Sequence, residues 1–335
     1  MRRGLVTAFA CLLALGLAAP ACAASWAQPQ IRVVVQHGLM GPSVAAFRPD
    51  RPLTRRQLGQ ALAAYTGEAQ VVVDPERPVV MWELERALVR AAGLHQSAAL
   101  VRAKARAAGL QPRTYFGAEV VGRLLRLRFN HPAARDFREL RPRDVATRAE
   151  AAYSFAGLLG TSDWTKQSVA ATADALAFPA FTDWQRRVLR RAVSFVGYPY
   201  VWGGTSESRQ TLFGVTSRGG FDCSGFVWRV YKTRPFTGAP RLQTVLRGRT
   251  TYQMSGEVPR AARIRRAGLR PGDLVFFGTR GPSSRPSEVT HMGIYAGNGW
   301  FVHSSSQGTT LTTLSGWYAD RFAWGRRPLR EAGLT

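Results

Sequence analysis

The order of periodicities along the chain constrains its fold more than any other feature. From Phe47 the chain reads as helical through repeated units to about residue 160, and again in a helix from Thr182 with an apolar stripe to Val196. Beyond that, Leu274–Phe277, Met292–Ala296, Trp300–Ser304 and Thr309–Leu314 are apolar or β-branched runs split by Gly and Ser. Runs of helix followed by runs of strand imply an α+β architecture. The 335 residues leave room for about two or three domains. A composition of 45% hydrophobic and 20% charged residues excludes a disordered chain.

The N-terminus reads as an export signal. Arg2 and Arg3 precede an uncharged apolar run from Leu5 to Ala19, followed by Pro20 and Ala21-Cys22-Ala23-Ala24, an Ala-x-Ala cleavage pattern. The run is shorter than the ~20 residues of a membrane span. Residues 1–24 are therefore expected to form a signal peptide. A lipoprotein acylated at Cys22 is the less favoured reading, because Ala19 stands where a large aliphatic residue is needed. Three cysteines, Cys11, Cys22 and Cys223, exclude a full disulfide framework and a four-cysteine zinc site. Cleavage leaves Cys223 alone, and a lone thiol in an oxidising compartment is expected to be buried or used. The 46 basic and 21 acidic residues give a net charge of +25, which implies an anionic partner.

Residues 25–46 read as a short lead-in. From Phe47 the chain resembles itself: Phe47–Gly67 and Leu140–Gly160 align without gaps, sharing Arg-Pro, Thr-Arg and a final Gly. Val73–Gly93 is a degenerate third copy, with Val80 in place of the capping Thr. Thr54 with Gln57, and Thr147 with Glu150, are predicted capping boxes, and Gly67 is the expected helix stop. The unit resembles the S-layer homology (SLH) module, whose helix opens on Thr-Arg-Ala-Glu. Thr147-Arg148-Ala149-Glu150 matches that motif, and Thr54-Arg55-Arg56-Gln57 half-matches it. Over 47–161 the resemblance implies a helical repeat region that binds anionic wall polymers through Arg55 and Arg148. The alternative is that both are solvated first-turn arginines of ordinary capped helices. Residues 162–180, rich in Ser, Thr and Ala, read as a linker to a C-terminal domain over 181–335, whose first helix is capped by Thr182 and Gln185.

Cys223 is the expected centre of that domain. Gly219-Gly220 precede it, Asp222 is a candidate N-cap, and Phe226, Val227, Val230 and Tyr231 follow at helical spacing. A thiol on the first residue of a helix meets the positive end of the dipole, which favours thiolate. The unpaired first-turn amides can hold an oxyanion. The inert alternative is a buried structural cysteine, with Asp222 a cap and nothing more. A nucleophilic thiol needs a base, itself held by a third group. His291 and His303 flank a hairpin turn at Gly297-Asn298-Gly299. A two-residue Asn-Gly loop pairs Ile294 with His303 and puts the histidines on opposite faces. A three-residue loop sets His303 opposite Gly293, on the face of His291. The catalytic reading requires the second register. Zinc ligation by the same three residues is disfavoured, because no Cys-x-x-Cys or His-x-x-x-His pair is present. No metal or cofactor is expected.

Tyr200-Val-Trp-Gly-Gly, Asp222-Cys-Ser-Gly, Pro271-Gly-Asp-Leu-Val-Phe-Phe and His291-Met-Gly-Ile-Tyr-Ala-Gly-Asn-Gly resemble, in order and spacing, the NlpC/P60 family of papain-like cysteine peptidases. The resemblance implies a Cys-bearing helix packed on an antiparallel sheet. It further implies Cys223 as nucleophile, His291 as base and His303 as orienting residue, with Tyr200, Asp222 and Ser224 reading a free amine on the acyl side. Residues 205–220 are longer than the family usually has there. The implied activity is an exported peptidoglycan endopeptidase of the cell wall, cell surface or extracellular space, cutting stem peptides between D-γ-glutamate and the diamino acid. The alternatives are an amidase or acyltransferase of the same fold, or a non-catalytic wall-binding protein. Residues 181–335 carry 23 basic and 8 acidic residues against 21 and 13 over 25–180, so the positive excess sits mainly on the enzyme-like half. With an export signal this favours an anionic wall over nucleic acid, and no stable membrane insertion is expected after cleavage.

Overall fold

A computed structural model describes residues 24–334. The expected signal, with Cys11 and Cys22, lies outside the described residues except for Ala24. The lead-in is a helix, α1 (Gln28–Gln36), whose Ile31 and Val34 are buried in the core. The three repeat copies supply α2 (Arg55–Thr66), α3 (Met81–Ala91) and, after α4 (His95–Ala107) and α5 (Phe116–Leu124), α6 (Arg148–Leu159).

The segments that enter α2, α3 and α6 close on one another. Leu53 N–H donates to Ala146 O, Ala146 N–H to Val79 O, and Val79 N–H to Leu53 O, each at 2.8 Å. The first-turn amides, which no helix can satisfy internally, follow the same cycle. Arg56 donates to Pro75 O, Trp82 to Pro142 O and Ala149 to Pro49 O, at 2.8–2.9 Å. The repeat is thus a pseudo-threefold unit, and the degenerate middle copy is its indispensable third member. Of the predicted caps, Thr54 and Gln57 form the reciprocal box, and Gly67 ends α2 at φ 75°. Thr147 accepts from Glu150 N–H at 3.2 Å, but the buried Glu150 side chain faces His131 instead of completing a box.

The segment expected to be a linker holds α7 (Asp163–Asp174), capped by Ser162 and tied to α4 through Lys104 Nζ on Asp174 O at 2.6 Å. Its small residues let it lie close against its neighbours, with Val169 and Ala173 buried.

The C-terminal half opens with α8 (Asp183–Val193), carrying the predicted Thr182–Gln185 box. Residues 205–221 form two small hairpins: β1 (Thr205–Ser206) pairs β4 (Gly220–Phe221), and β2 (Gln210–Leu212) pairs β3 (Val215–Ser217). Helix α9 (Cys223–Tyr231) follows and packs on an antiparallel sheet of β5 (Leu274–Gly278), β6 (Val289–Gly297), β7 (Trp300–Ser305), β8 (Gly308–Thr313) and β9 (Phe322–Arg326), in the order β8-β7-β6-β5-β9. The four expected strands are present, and β9 is a fifth that pattern reading missed. The two halves share one continuous core. Arg123 on α5 pairs with Glu119 and donates to Gly197 O at 2.8 Å.

Behind this seam the N-terminal half buries a charged cluster. Glu85 on α3 is fully buried, and neither carboxylate oxygen has a partner. Desolvation, with Glu119 beside it, pushes Glu85 up to about 7. The folded state therefore holds a proton that the unfolded chain releases above its ordinary carboxyl range. This contribution is fully present below about pH 4.5 and is lost as pH rises through about 7. Glu85→Gln is accordingly expected to raise the melting temperature at pH 8 by roughly 5 °C and to change it little at pH 4.5. An equal shift at both pH values would show that the group is neutral or fully paired throughout.

Candidate active site

Asp222 is the N-cap of α9, its carboxylate accepting from Gly225 N–H, and Cys223 is the first helical residue. Cys223 is 8% exposed, wedged against β6, and the backbone amides of Ser224, Met292 and Cys223 itself address its sulfur. The helix start favours thiolate, but burial wins. Desolvation and the Asp222 carboxylate hold the thiol up at about 12. Desolvation of the buried sulfur outweighs the ~0.3–2 kcal/mol that a helix terminus supplies. The direction is opposite to the one the helix start alone implies: burial favours the neutral thiol at rest.

The hairpin has the required register by a route the sequence reading did not consider. Ile294 pairs Val302 and Tyr295 pairs Phe301, so His303 continues opposite Gly293. The loop itself is the two-residue one: Gly297 pairs Trp300, and Asn298 and Gly299 both lie in the left-handed region at φ 49° and 79°. The register shifts between Tyr295 and Gly297, where Ala296 is an extra residue that restores the phase of the histidines. His291 Nε2 lies 2.8 Å from His303 Nδ1.

Three aromatic rings that pattern reading missed enclose this pair. Phe277 stacks on His291 at 5.7 Å, Phe301 lies 4.7 Å from His303, and Tyr318 stands 5.2 Å from His303. Desolvation by these walls lowers His291 to about 4 and holds His303 well below the usual imidazole range. Both imidazoles are therefore neutral at neutral pH.

Tyr200 joins the site through a bridge to Phe221, the residue before Asp222. Asp222 and Ser224 are together, Ser224 Oγ donating to Asp222 Oδ1 at 2.9 Å. A residue absent from the sequence reading, Arg249, already occupies them. Its Nη1 donates to Ser224 Oγ at 2.7 Å, and its Nη2 donates to Gly203 O at 2.8 Å and to Asp222 Oδ2 at 3.2 Å. Only its place before the Thr250 cap of the next short helix hinted at a fixed position. A second missed residue comes from the N-terminal half. Asp136, 5% exposed, accepts from Trp202 N–H at 3.1 Å, two residues from Tyr200. Its segment, Ala133–Arg138, packs on β3 of the long insert.

Arg55 and Arg148 are not equivalent. Arg148 is buried, donates through Nε to Phe47 O at 2.7 Å and lies over the Phe47 ring. Arg55 pairs with Glu83 at 3.2 Å on the wall of an open groove of about 1030 Å³ between α2 and α3. The solvated-arginine alternative thus fails for Arg148, whose guanidinium is structural.

A buried thiol at a helix start and two imidazoles in hydrogen-bond contact, on a helix packed against an antiparallel sheet, make up the candidate site of this α+β fold. Residues 197–327 match the NlpC/P60 family and form an NlpC/P60 domain. Over 141 residues, 42% of this chain and 44% of the relative, the sequence is 36% identical to murein DD-endopeptidase MepH of Escherichia coli. It is 35% identical over 132 residues to the probable peptidoglycan endopeptidase LytE of Bacillus subtilis, 39% of this chain and 30% of that one. It is 31% identical over 147 residues to the bifunctional muramidase/DL-endopeptidase CwlT of the same organism, 43% and 37% of the two chains. The chain covers less than half the length of each of these relatives. The repeats at 47–160 lie outside the family match, which leaves the resemblance to S-layer homology modules without support.

Proposed function

We propose that the chain is an exported cysteine endopeptidase that cuts peptidoglycan stem peptides, with Cys223, His291 and His303 as its catalytic residues. The contact between His291 Nε2 and His303 Nδ1, beside the β6 amide that addresses Cys223, carries the reading. For His291 Nδ1 to take the thiol proton, the ring proton must sit on Nε2 and be donated to His303 Nδ1. His303 then carries its own proton on Nε2. Cys223 Sγ attacks the carbonyl carbon as its proton passes to His291, and the α9 amides receive the oxyanion. The imidazolium then protonates the departing amine as the C–N bond breaks. Water, deprotonated by His291, next displaces the thiolate from the thioester and leaves a free acid. A pair that is neutral at rest forms its ions during attack, which the dry aromatic walls make dependent on the oxyanion donors.

The proposed scissile bond is D-γ-glutamyl–diamino acid. Mass spectrometry of fragments from purified peptidoglycan tests it. Cleavage there exposes a diamino-acid amine and a γ-linked glutamate carboxyl. Cleavage between D-alanine and a diamino acid would move the bond, and stem peptides released whole from the sugar would establish an amidase instead.

On the acyl side, Asp222 and Ser224 are already bonded to a guanidinium, so Asp136 is the carboxylate near Tyr200 with a place for a substrate ammonium. Asp136→Asn keeps an acceptor for Trp202 N–H and removes the charge. The expected result is a roughly tenfold rise in KM for a peptide with a free N-terminus, with none for its N-acetylated counterpart. Equal changes for both peptides would assign Asp136 a purely structural place. In the repeat region, Arg55 in its groove is the arginine proposed to meet wall polymer.

A further inference from the structure

One face of α8 carries Arg187, Arg190 and Arg191. With Arg234, Ser194 and residues 235–237 they line a pocket of about 440 Å³ at the C-terminal end of α9. Helix α9 has nine residues, so this pocket lies ~13 Å along the axis from the end that carries Cys223.

The guanidinium groups are fixed rather than splayed into solvent. Arg191 sits 3.4 Å over the Phe236 ring and donates to Val230 O at 2.8 Å and to Pro235 O at 3.3 Å. Arg187 lies 4.1 Å over Trp184 and donates to Thr237 O at 2.8 Å. Arg190 donates to Gly109 O at 3.0 Å, from across the seam with the N-terminal half. Arg234 is exposed. All of these acceptors are neutral carbonyls. The acidic side chains nearby are taken by other arginines, Asp183 by Arg186 and Glu207 by Arg229. Among the described residues no carboxylate pairs with any of the four.

Like charges gathered in one concavity raise the energy of the folded state unless an anion enters. Burial and the neighbouring Arg234, Arg229 and Arg187 push Arg191 down to about 10. Each guanidinium offers five N–H donors. Arg191 uses three of them on the Val230, Arg234 and Pro235 carbonyls, but Arg187 and Arg190 keep three or more for a ligand, and Arg234 has no protein partner for its own among the described residues. Guanidinium forks bind phosphoryl oxygens in pairs, and a tetrahedral phosphoryl group can meet several forks at once where a planar carboxylate meets one. We propose that this pocket binds the phosphoryl groups of an anionic polymer and so holds the protein on its surroundings without covering Cys223.

The test uses the full chain and sodium polyphosphate as probe, with binding followed calorimetrically at low salt. Arg187→Gln with Arg234→Gln is compared with Arg260→Gln with Arg265→Gln, exposed arginines elsewhere on the same half. The first pair is expected to weaken binding about tenfold, and the second, with the same change of net charge, less than twofold. Arg234→Gln alone, at an exposed position, keeps the comparison valid if loss of the Arg187 stacking lowers the melting temperature. Equal losses for the two pairs would reduce the effect to overall charge and overturn the site. Equal affinity for polyglutamate of matched charge would overturn the choice of phosphate. Binding to phosphatidylglycerol vesicles without binding to polyphosphate would overturn the polymer.

Discussion

Cys223→Ala is expected to reduce peptide release from purified peptidoglycan to the rate of a protein-free control, a loss of about 10³-fold or more. The magnitude follows from the proposed chemistry, since without Sγ there is no thioester and the imidazole has no thiol to deprotonate. Removing one buried sulfur leaves a small cavity costing ~1 kcal/mol, so folding and melting should be nearly unchanged. Identical fragments at identical rates from both proteins would exclude Cys223 from the chemistry, and with it the cysteine-peptidase reading. Wall pelleting by the variant should persist, because neither the arginine pocket nor the α2–α3 groove includes Cys223.

The second large effect concerns the histidines. His291→Ala removes the proton acceptor and is expected to lower kcat by roughly 10³-fold, whereas His303→Ala, which removes only the orienting partner, should cost roughly 10–10²-fold. The pH profile separates the two roles. With His291 held at about 4 by desolvation, activity of the unaltered protein should persist well below the usual imidazole range and fall only near pH 4. His303→Ala opens the aromatic enclosure to water, so its acid limb should move up toward the ordinary value near 6.5. An unaltered protein that loses activity at pH 6.5 would show that substrate or water relieves the burial. The stability linkage runs the same way. A neutral His291 supports the fold above about pH 6.5, and that support is lost as pH falls toward 4. The Glu85 contribution has the opposite sign, so acid and base each act on a different half of the molecule.

The arrangement of the halves also alters what a truncation would test. Arg123 reaches Gly197 O and Asp136 reaches Trp202 N–H across the seam. Removing residues 47–160 would therefore uncover buried surface beside the active site. Point changes at Asp136 or Arg55 distinguish recognition from packing where deletion does not.

Much of the site was legible because its signals are local. Asp222 before Cys223, with Val227, Val230 and Tyr231 at helical spacing, suffices to start a helix on the thiol, since capping and periodicity act within a few residues. Gly-split runs located β5 to β8, and the Thr54–Gln57 box located α2. The repeat was visible too, because each copy needs the same turn and cap. Its closure was not, since a ring of hydrogen bonds among Leu53, Val79 and Ala146 joins residues up to 93 positions apart. Strand β9 escaped because Phe322–Arg326 is short and fully buried, without the alternation that marks a half-exposed strand.

By itself, then, the sequence singled out the thiol and the imidazoles proposed to carry the chemistry, and the helix and hairpin that present them. Those features depend on chirality, capping and side-chain alternation over short spans. The tertiary structure alone decided the register, through a bulge at Ala296, and the charge state, through aromatic walls drawn from three separate elements. It also brought Arg249 from a distant turn onto Asp222 and Ser224, and Asp136 from the other half of the chain onto Trp202 N–H beside Tyr200. Desolvation and long-range pairing depend on what surrounds a residue in space, and no local pattern encodes that.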